Sequence, residues 1–306
     1  MNAPQDKPPL DAAIAEMERR WKESGIPGLY DGGNGPVSRE RARNVRALLY
    51  PKPHLPAGRV EAFEIAGPNG PIPARAVWPL DGEPVGTLVY YHGGGWILGD
   101  LDSHEAHAIR LANRARVVVL NVDYRLAPEH PFPQGVEDAL AAARWAHAHR
   151  ARLGGAQRPL AVGGDSAGGN FAAVAALQCR DEGIALAAQL LVYPATDMTG
   201  LKDPVISTAY FGAESERLAC DPRASPRLWR TLAGAAPAII GVGPYDFLYR
   251  DNLAYAQALR EAGVPVLLRE YPTLNHGFFS YTAISPACAA AADELCDDLR
   301  AAFSPA

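Results

Sequence analysis

The 306-residue sequence predicts an α/β fold: a mostly parallel central sheet with helices on both faces and a small helical cap. Two observations lead to this prediction. From about residue 87, short apolar runs alternate with longer amphipathic stretches, and strands that are apolar throughout are typical of a parallel sheet buried on both faces. In addition, a serine boxed by glycines, Ser166, lies between one such run and an alanine-rich stretch, which predicts a strand, a sharp turn and a helix.

The first 50 residues predict two helices joined by a loop. Apolar residues recur at helical spacing from Leu10 to Trp21, which is typical of an amphipathic helix. Residues 23–38 are rich in Gly and Pro and predict a loop, at the end of which Ser38 is placed to cap a second helix.

The following residues predict the sheet. In residues 59–67 and 72–80, apolar and polar side chains alternate on either side of a "PNGP" turn. This pattern predicts an antiparallel strand pair. Six apolar runs predict further strands, at 87–93, 116–124, 159–166, 189–194, 237–246 and 264–272. Five amphipathic stretches predict helices, at 103–114, 135–152, 167–181, 249–262 and 285–303.

One segment interrupts this alternation. Residues 196–230 are rich in Pro, Asp and Arg and show no strand pattern, so we interpret them as an insertion at the rim of the sheet. The predicted organisation is therefore a helical cap segment (1–50), a first part of the core (51–195), the insertion (196–230) and a second part of the core (231–306).

Composition excludes several classes of partner. A net charge of −5 and a pI near 5.9 argue against nucleic acid or an anionic membrane. No apolar run reaches the ~18 residues of a membrane span, and the N-terminus lacks the pattern of a signal peptide. Four scattered cysteines fit no metal pattern, and we expect them reduced and buried in a cytoplasmic protein: Cys179, Cys220, Cys288 and Cys296.

The serine motif carries the first chemical signal. Residues 164–168 read G-x-S-x-G between a predicted strand and a predicted helix, the setting in which a nucleophilic serine is held in strained backbone with only small neighbours. A phosphate-binding loop is the alternative, but no Lys follows the glycines and the G-x-G-x-x-G pattern does not fit.

A serine needs a base to take its proton, and His276 is the candidate. It follows the last predicted strand in the loop "TLNHGFF", where it can reach Ser166. His104 and His107 are spaced to share a metal, but the sequence offers no third ligand. The remaining histidines lie on a helix face or in loops: His54, His92, His130, His147 and His149.

The base needs an orienting carboxylate. Asp246 comes directly after an apolar strand, at the carboxyl edge of the predicted sheet. Asp251 is the competitor, but it lies where the next helix should have begun. The order Ser166, Asp246, His276 is that of the α/β-hydrolase triad.

A glycine loop completes the expected machinery. Gly93, Gly94 and Gly95 follow the third predicted strand, and two of their N–H groups, with that of Ala167, are placed to bind the oxyanion of a tetrahedral intermediate. We interpret His92 as an anchor of this loop.

The motifs "HGGGW", "DYRLAPEHPFP", "GGDSAGGN", "YDFLYRD" and "NHGF" together resemble the bacterial hormone-sensitive-lipase-like esterases of the α/β-hydrolase superfamily. The resemblance extends from about Leu80 to the C-terminus. It implies carboxylester hydrolysis without cofactor or metal, with Ser166, His276 and Asp246 as the triad. It also implies a helical cap built from the N-terminal segment and the insertion after Tyr193.

Two departures from the family pattern bear on the substrate. Phe247 stands where the family usually has a proline after the carboxylate, and residues 196–230 form a short insertion, which predicts an open acyl pocket. We expect this pocket to be uncharged and apolar, shaped by cap residues such as Trp21, Tyr30, Tyr210 and Phe211.

The expected function is hydrolysis of short- to medium-chain acyl esters of small molecules. The edge strand near "LLREYP" is available to pair two subunits into a homodimer, but the motifs do not decide the oligomeric state. Two alternatives stay open. One is an amidase, thioesterase or deacetylase with the same triad, and the other is a non-catalytic small-molecule receptor on this fold.

Overall fold

A computed structural model describes residues 7–31, 35–201 and 203–303, which contain an eight-stranded sheet. Its spatial order is β1-β2-β4-β3-β5-β6-β7-β8. The strands are β1 (Val60–Gly67), β2 (Gly70–Val77), β3 (Gly86–Tyr91), β4 (Val117–Val122), β5 (Leu160–Asp165), β6 (Gln189–Val192), β7 (Ala238–Val242) and β8 (Val266–Glu270).

The sheet is antiparallel at one edge and parallel elsewhere. β1 and β2 form a hairpin in which Gly67 pairs with Gly70, so the predicted "PNGP" turn is confirmed. β2 is also antiparallel to β4, and every other pairing is parallel. All residues of β3 to β7 are buried, because helices cover both faces of these strands.

The described helices match the predicted ones to within a few residues in the core. They are α1 (Ala12–Ser24), α2 (Gly35–Leu49), α3 (Glu105–Ala115), α4 (Gln134–Ala148), α5 (Ala167–Asp181), α6 (Pro204–Phe211), α7 (Ser215–Ala219), α8 (Tyr249–Glu261) and α9 (Pro286–Ala302).

Local predictions at the N-terminal helices were partly wrong. Asp11 caps α1 by accepting hydrogen bonds from the N–H groups of Ala13 and Ile14, so Leu10 lies outside the helix. α2 already contains Gly35, so Ser38 is a buried residue inside the helix and not its cap. Residues 32–34 of the predicted loop lie outside the described residues.

The segment predicted as an insertion is helical where it is described. Between β6 and β7 the chain forms α6, α7 and short 3₁₀ turns, with no strand in its described part; Lys202 lies outside that part. Ile206 of α6 approaches the glycine loop, since a Cβ added to Gly95 would lie 3.3 Å from its Cδ1.

The four cysteines are free thiols. Three of them are buried as expected, but the prediction was wrong for Cys220, which is exposed on the helical segment after β6. No helix in the described ranges is both long and apolar enough to span a bilayer.

Candidate active site

Ser166 occupies the turn between β5 and α5 in a strained backbone conformation. Its φ of 54° and ψ of −116° lie in a region that L-residues rarely adopt. The turn is tight: a Cβ at Gly168 would lie 1.9 Å from the Tyr91 carbonyl oxygen, and one at Gly164 would lie 2.4 Å from the Gly168 backbone. The sequence uses glycine at both positions because no side chain fits there.

The three residues proposed from sequence lie in one hydrogen-bonded row. Ser166 Oγ is 2.8 Å from His276 Nε2, and His276 Nδ1 is 2.8 Å from Asp246 Oδ2. The Leu248 N–H donates to Asp246 Oδ1 at 2.7 Å. With Nδ1–H donating to the carboxylate, Nε2 is free to accept the serine proton.

Two neighbouring loops bring the carboxylate and the imidazole together. Tyr245 and Asn275 form a parallel β-bridge, which extends the β7–β8 pairing and sets Asp246 beside His276. Gly243 permits this approach, because a Cβ there would lie 2.0 Å from the Leu274 carbonyl oxygen.

Asp251, the competing carboxylate, has a different role. It lies in the first turn of α8 and accepts hydrogen bonds from the N–H (2.7 Å) and the hydroxyl (2.8 Å) of Thr196. It therefore anchors the chain that leaves β6 and does not contact His276.

Two of the three loop glycines keep a free N–H group, the number that the sequence predicted. The Gly93 N–H donates to Asp165 Oδ1 at 3.0 Å, so it is already engaged. The N–H groups of Gly94, Gly95 and Ala167 have no acceptor among the described residues. Positive φ angles of 132° at Gly94 and 59° at Gly95 explain why this loop uses glycine.

Asp165 is a site residue that sequence reasoning missed. Its Oδ1 also accepts a hydrogen bond from the Tyr90 hydroxyl at 2.7 Å, and its Oδ2 lies 3.6 Å from His104 Nε2. Burial alone would raise the pKa of Asp165, but attraction to His104 and the Tyr90 hydrogen bond outweigh it and hold the pKa below its ordinary value. Its place next to Ser166 was the available signal.

The same carboxylate alters the interpretation of the histidine pair. His104, His107 and Asp165 place ligand atoms within 4.8 Å of one another, so the third group that the sequence did not offer is present. However, Asp165 already accepts two hydrogen bonds and faces His104. These contacts account for the cluster as a buried support for the glycine loop.

His92 anchors this loop from below. Its ring is fully buried and stacks on Tyr124 at 4.2 Å between centroids, while the Tyr124 hydroxyl donates to the His92 carbonyl oxygen at 2.5 Å. Burial lowers the pKa of His92 to about 4, so the ring is neutral near pH 7.

Aromatic rings flank the imidazole of His276. The Tyr193 ring lies 4.7 Å from it and the Phe247 ring 4.5 Å, centroid to centroid. Phe247, the residue that replaces the usual proline, is 76% exposed.

Ser166 and His276 open into a cavity of about 620 Å³. Among its lining residues, we call Gly93–Gly95, Ser166 and His276 the floor, and Tyr30 with the lining residues of α2 the roof. The predicted uncharged wall was wrong. Tyr30 does line the cavity, but Trp21, Tyr210 and Phe211 do not, and the lining includes several charged side chains: Arg39, Arg43, Arg46, Lys52, Asp100 and Asp102.

The fold and the site define a class of protein: an α/β enzyme with a serine at a strand–helix turn, hydrogen-bonded to a histidine and an aspartate. A family model described as alpha/beta hydrolase fold matches residues 88–280, more than half of the chain. The chain belongs to this family of hydrolases, in the hormone-sensitive-lipase-like branch that its motifs predicted.

Similar proteins support this assignment. The carboxylic ester hydrolase LipN of Mycobacterium tuberculosis is 39% identical over 96% of this chain and 84% of its own length. Carboxylesterase NlhH of the same organism is 39% identical over 87% and 89%. An esterase structure from Pyrobaculum calidifontis is 34% identical, with a TM-score of 0.86 over 96% of this chain and 99% of that one.

Proposed function

We propose that this hydrolase cleaves carboxylic esters through an acyl-enzyme formed on Ser166. The observation that carries the proposal is the continuous hydrogen-bonded row from Ser166 through His276 to Asp246, with 2.8 Å at each step. Ser166 Oγ attacks the ester carbonyl carbon while His276 Nε2 accepts its proton, and Asp246 holds the imidazole and stabilises the imidazolium.

The intermediate then divides into products. The imidazolium gives its proton to the departing alkoxide, so that an alcohol leaves and the acyl group stays on Ser166. A water molecule, deprotonated by His276, attacks the acyl-enzyme, and Ser166 recovers its proton as the acid leaves. One ester and one water thus give one acid and one alcohol.

We assign the oxyanion hole to the N–H groups of Gly94, Gly95 and Ala167. These three are free within the described part of the chain, whereas Gly93 donates to Asp165. The Ala167 N–H also lies at the N-terminus of α5, where the helix dipole favours negative charge. Each such donor contributes roughly two to three orders of magnitude in rate.

Small esters of short to medium acyl chain fit the site best. A cavity of about 620 Å³ is in the ordinary range for small-molecule sites. The relatives at 39% identity are named for carboxylic ester hydrolysis, which favours esterase over amidase, thioesterase or deacetylase activity and over a receptor role.

The test is hydrolysis of 4-nitrophenyl acetate, butyrate and decanoate, with Ser166→Ala as control. Loss of a triad serine costs on the order of 10⁶-fold in the type case, so the variant should release nitrophenol at the background rate while keeping its melting temperature. A matching nitroanilide separates esterase from amidase. Equal rates for wild type and variant would favour the receptor alternative.

Assembly and location are further proposals. β8 is an edge strand with Leu267 40% exposed, and we propose that two copies of the chain pair through this edge as a homodimer. Light scattering of the wild type and of Leu267→Lys tests this. A monomeric wild type would refute it. Free thiols at all four cysteines are typical of a reducing compartment and support a cytoplasmic location, which cell fractionation tests.

A further inference from the structure

Helix α2 presents a row of basic side chains to the active-site cavity. Val45 and Leu49 pack into the apolar core on one side of the helix. Arg39, Arg43 and Arg46 all line the cavity, and their spacing of four and three residues places them on one helix face. The whole chain has a net charge of −5, so this row does not follow from a basic composition.

Much of the charge around the cavity is already neutralised. Three of the Arg, Lys and Asp side chains in the lining form ion pairs with residues outside it: Arg39 with Glu129, Lys52 with Glu105 at 3.2 Å and Asp102 with Arg75 at 2.9 Å. The charge of each of these lining residues is therefore balanced by its partner.

Arg43 and Arg46 differ from the paired residues. Arg46 donates to the backbone carbonyl oxygen of Ser103, a neutral acceptor, and no described carboxylate lies within ion-pair distance of it. Arg43 is exposed in the cavity wall, and its side chain makes no hydrogen bond or ion pair with any residue in the described ranges. Two positive charges on the roof therefore lack a partner of opposite sign there.

The two remaining acidic residues of the lining form no ion pair with Arg43 or Arg46. The Asp100 carboxylate accepts the Ser103 N–H at 2.6 Å. Asp165 is fully engaged with Tyr90, the Gly93 N–H and His104.

We propose that the cavity selects esters that carry a carboxylate remote from the scissile bond, with Arg43 as its direct contact and Arg46 as the second. The proposal rests on the esterase function and adds the substrate class. A guanidinium matches a carboxylate in a two-point, charge-assisted pair. Such a pair in a concave cavity is screened less by solvent than the same pair on an open surface.

Two matched pairs of esters test the proposal, one for each side of the ester bond. The acyl pair is mono-4-nitrophenyl adipate against 4-nitrophenyl 6-methylheptanoate, in which an isopropyl group replaces the carboxylate. The alcohol pair is 4-carboxyphenyl butyrate against 4-nitrophenyl butyrate. The readout is the ratio of kcat/KM for the charged to the neutral member, compared between wild type and Arg43→Gln, so that effects common to both members cancel.

We expect Arg43→Gln to lower this ratio about tenfold in at least one pair. Arg43→Lys, which keeps the charge but not the two-point geometry, should keep only part of the ratio. Added salt should lower the wild-type ratio. Arg260→Gln is the control, because it removes the same charge from an exposed residue of α8 that lies outside the cavity lining. The proposal is overturned if Arg43→Gln changes neither ratio, or if Arg260→Gln changes it equally. A wild type that cleaves none of the four esters would instead refute the esterase function.

Discussion

The floor and the roof of the cavity are built in different ways. On the floor, backbone geometry positions the reacting groups: Ser166 in strained backbone, Gly94 and Gly95 with positive φ angles, and Gly168 against the Tyr91 carbonyl. On the roof, ordinary helical residues of α2 face the substrate space, and their backbone tolerates most side chains. We therefore expect floor changes to act on kcat and roof changes on KM and substrate preference.

The largest expected effect is at Asp246. Asp246→Asn keeps the shape of the side chain but offers the imidazole a donor, which favours the wrong tautomer of His276. We expect kcat for 4-nitrophenyl butyrate to fall about 10⁴-fold, as in the type case. Asp251→Asn is the control, because Asp251 contacts Thr196 and not the imidazole. If Asp251→Asn lowered kcat more than Asp246→Asn does, Asp251 would be the residue that orients His276.

A smaller floor effect is expected at Asp165. Asp165→Ala leaves the Gly93 N–H and the Tyr90 hydroxyl without their buried acceptor, so the glycine loop should lose its position. We expect kcat to fall about 10²-fold, the effect of one oxyanion donor, with little change in KM. Asp165→Asn, which keeps an acceptor, should recover part of kcat. If Asp165→Ala lowered only the melting temperature, the residue would be structural.

The smallest effect on turnover is expected on the roof. Leu49→Ala removes a buried side chain that packs α2 onto the core, at a cost of about 2 to 4 kcal/mol in the free energy of unfolding. Because the roof residues contact the substrate but do not take part in the reaction, KM should rise a few-fold while kcat stays nearly constant. Leu48→Ala, at a residue that is 50% exposed, is the control. A fall in kcat as large as the rise in KM would abolish the distinction between floor and roof.

The sequence predicted the floor well because its constraints leave few permitted residues. Only glycine fits at Gly164 and Gly168, so the motif is visible in one chain. The apolar runs fixed the strands, and every one of them was found. The same reasoning missed Asp165, whose partners Tyr90 and Gly93 lie more than 70 residues away.

The sequence by itself determined the strand and helix alternation, the serine turn and the order of the three chemical groups. The tertiary structure alone decided which glycine N–H is already engaged and that arginines of α2 line the cavity. The physical reason is range. Strands, helices and tight turns depend on neighbouring residues, whereas ion pairing and donor availability depend on residues that only folding brings into contact.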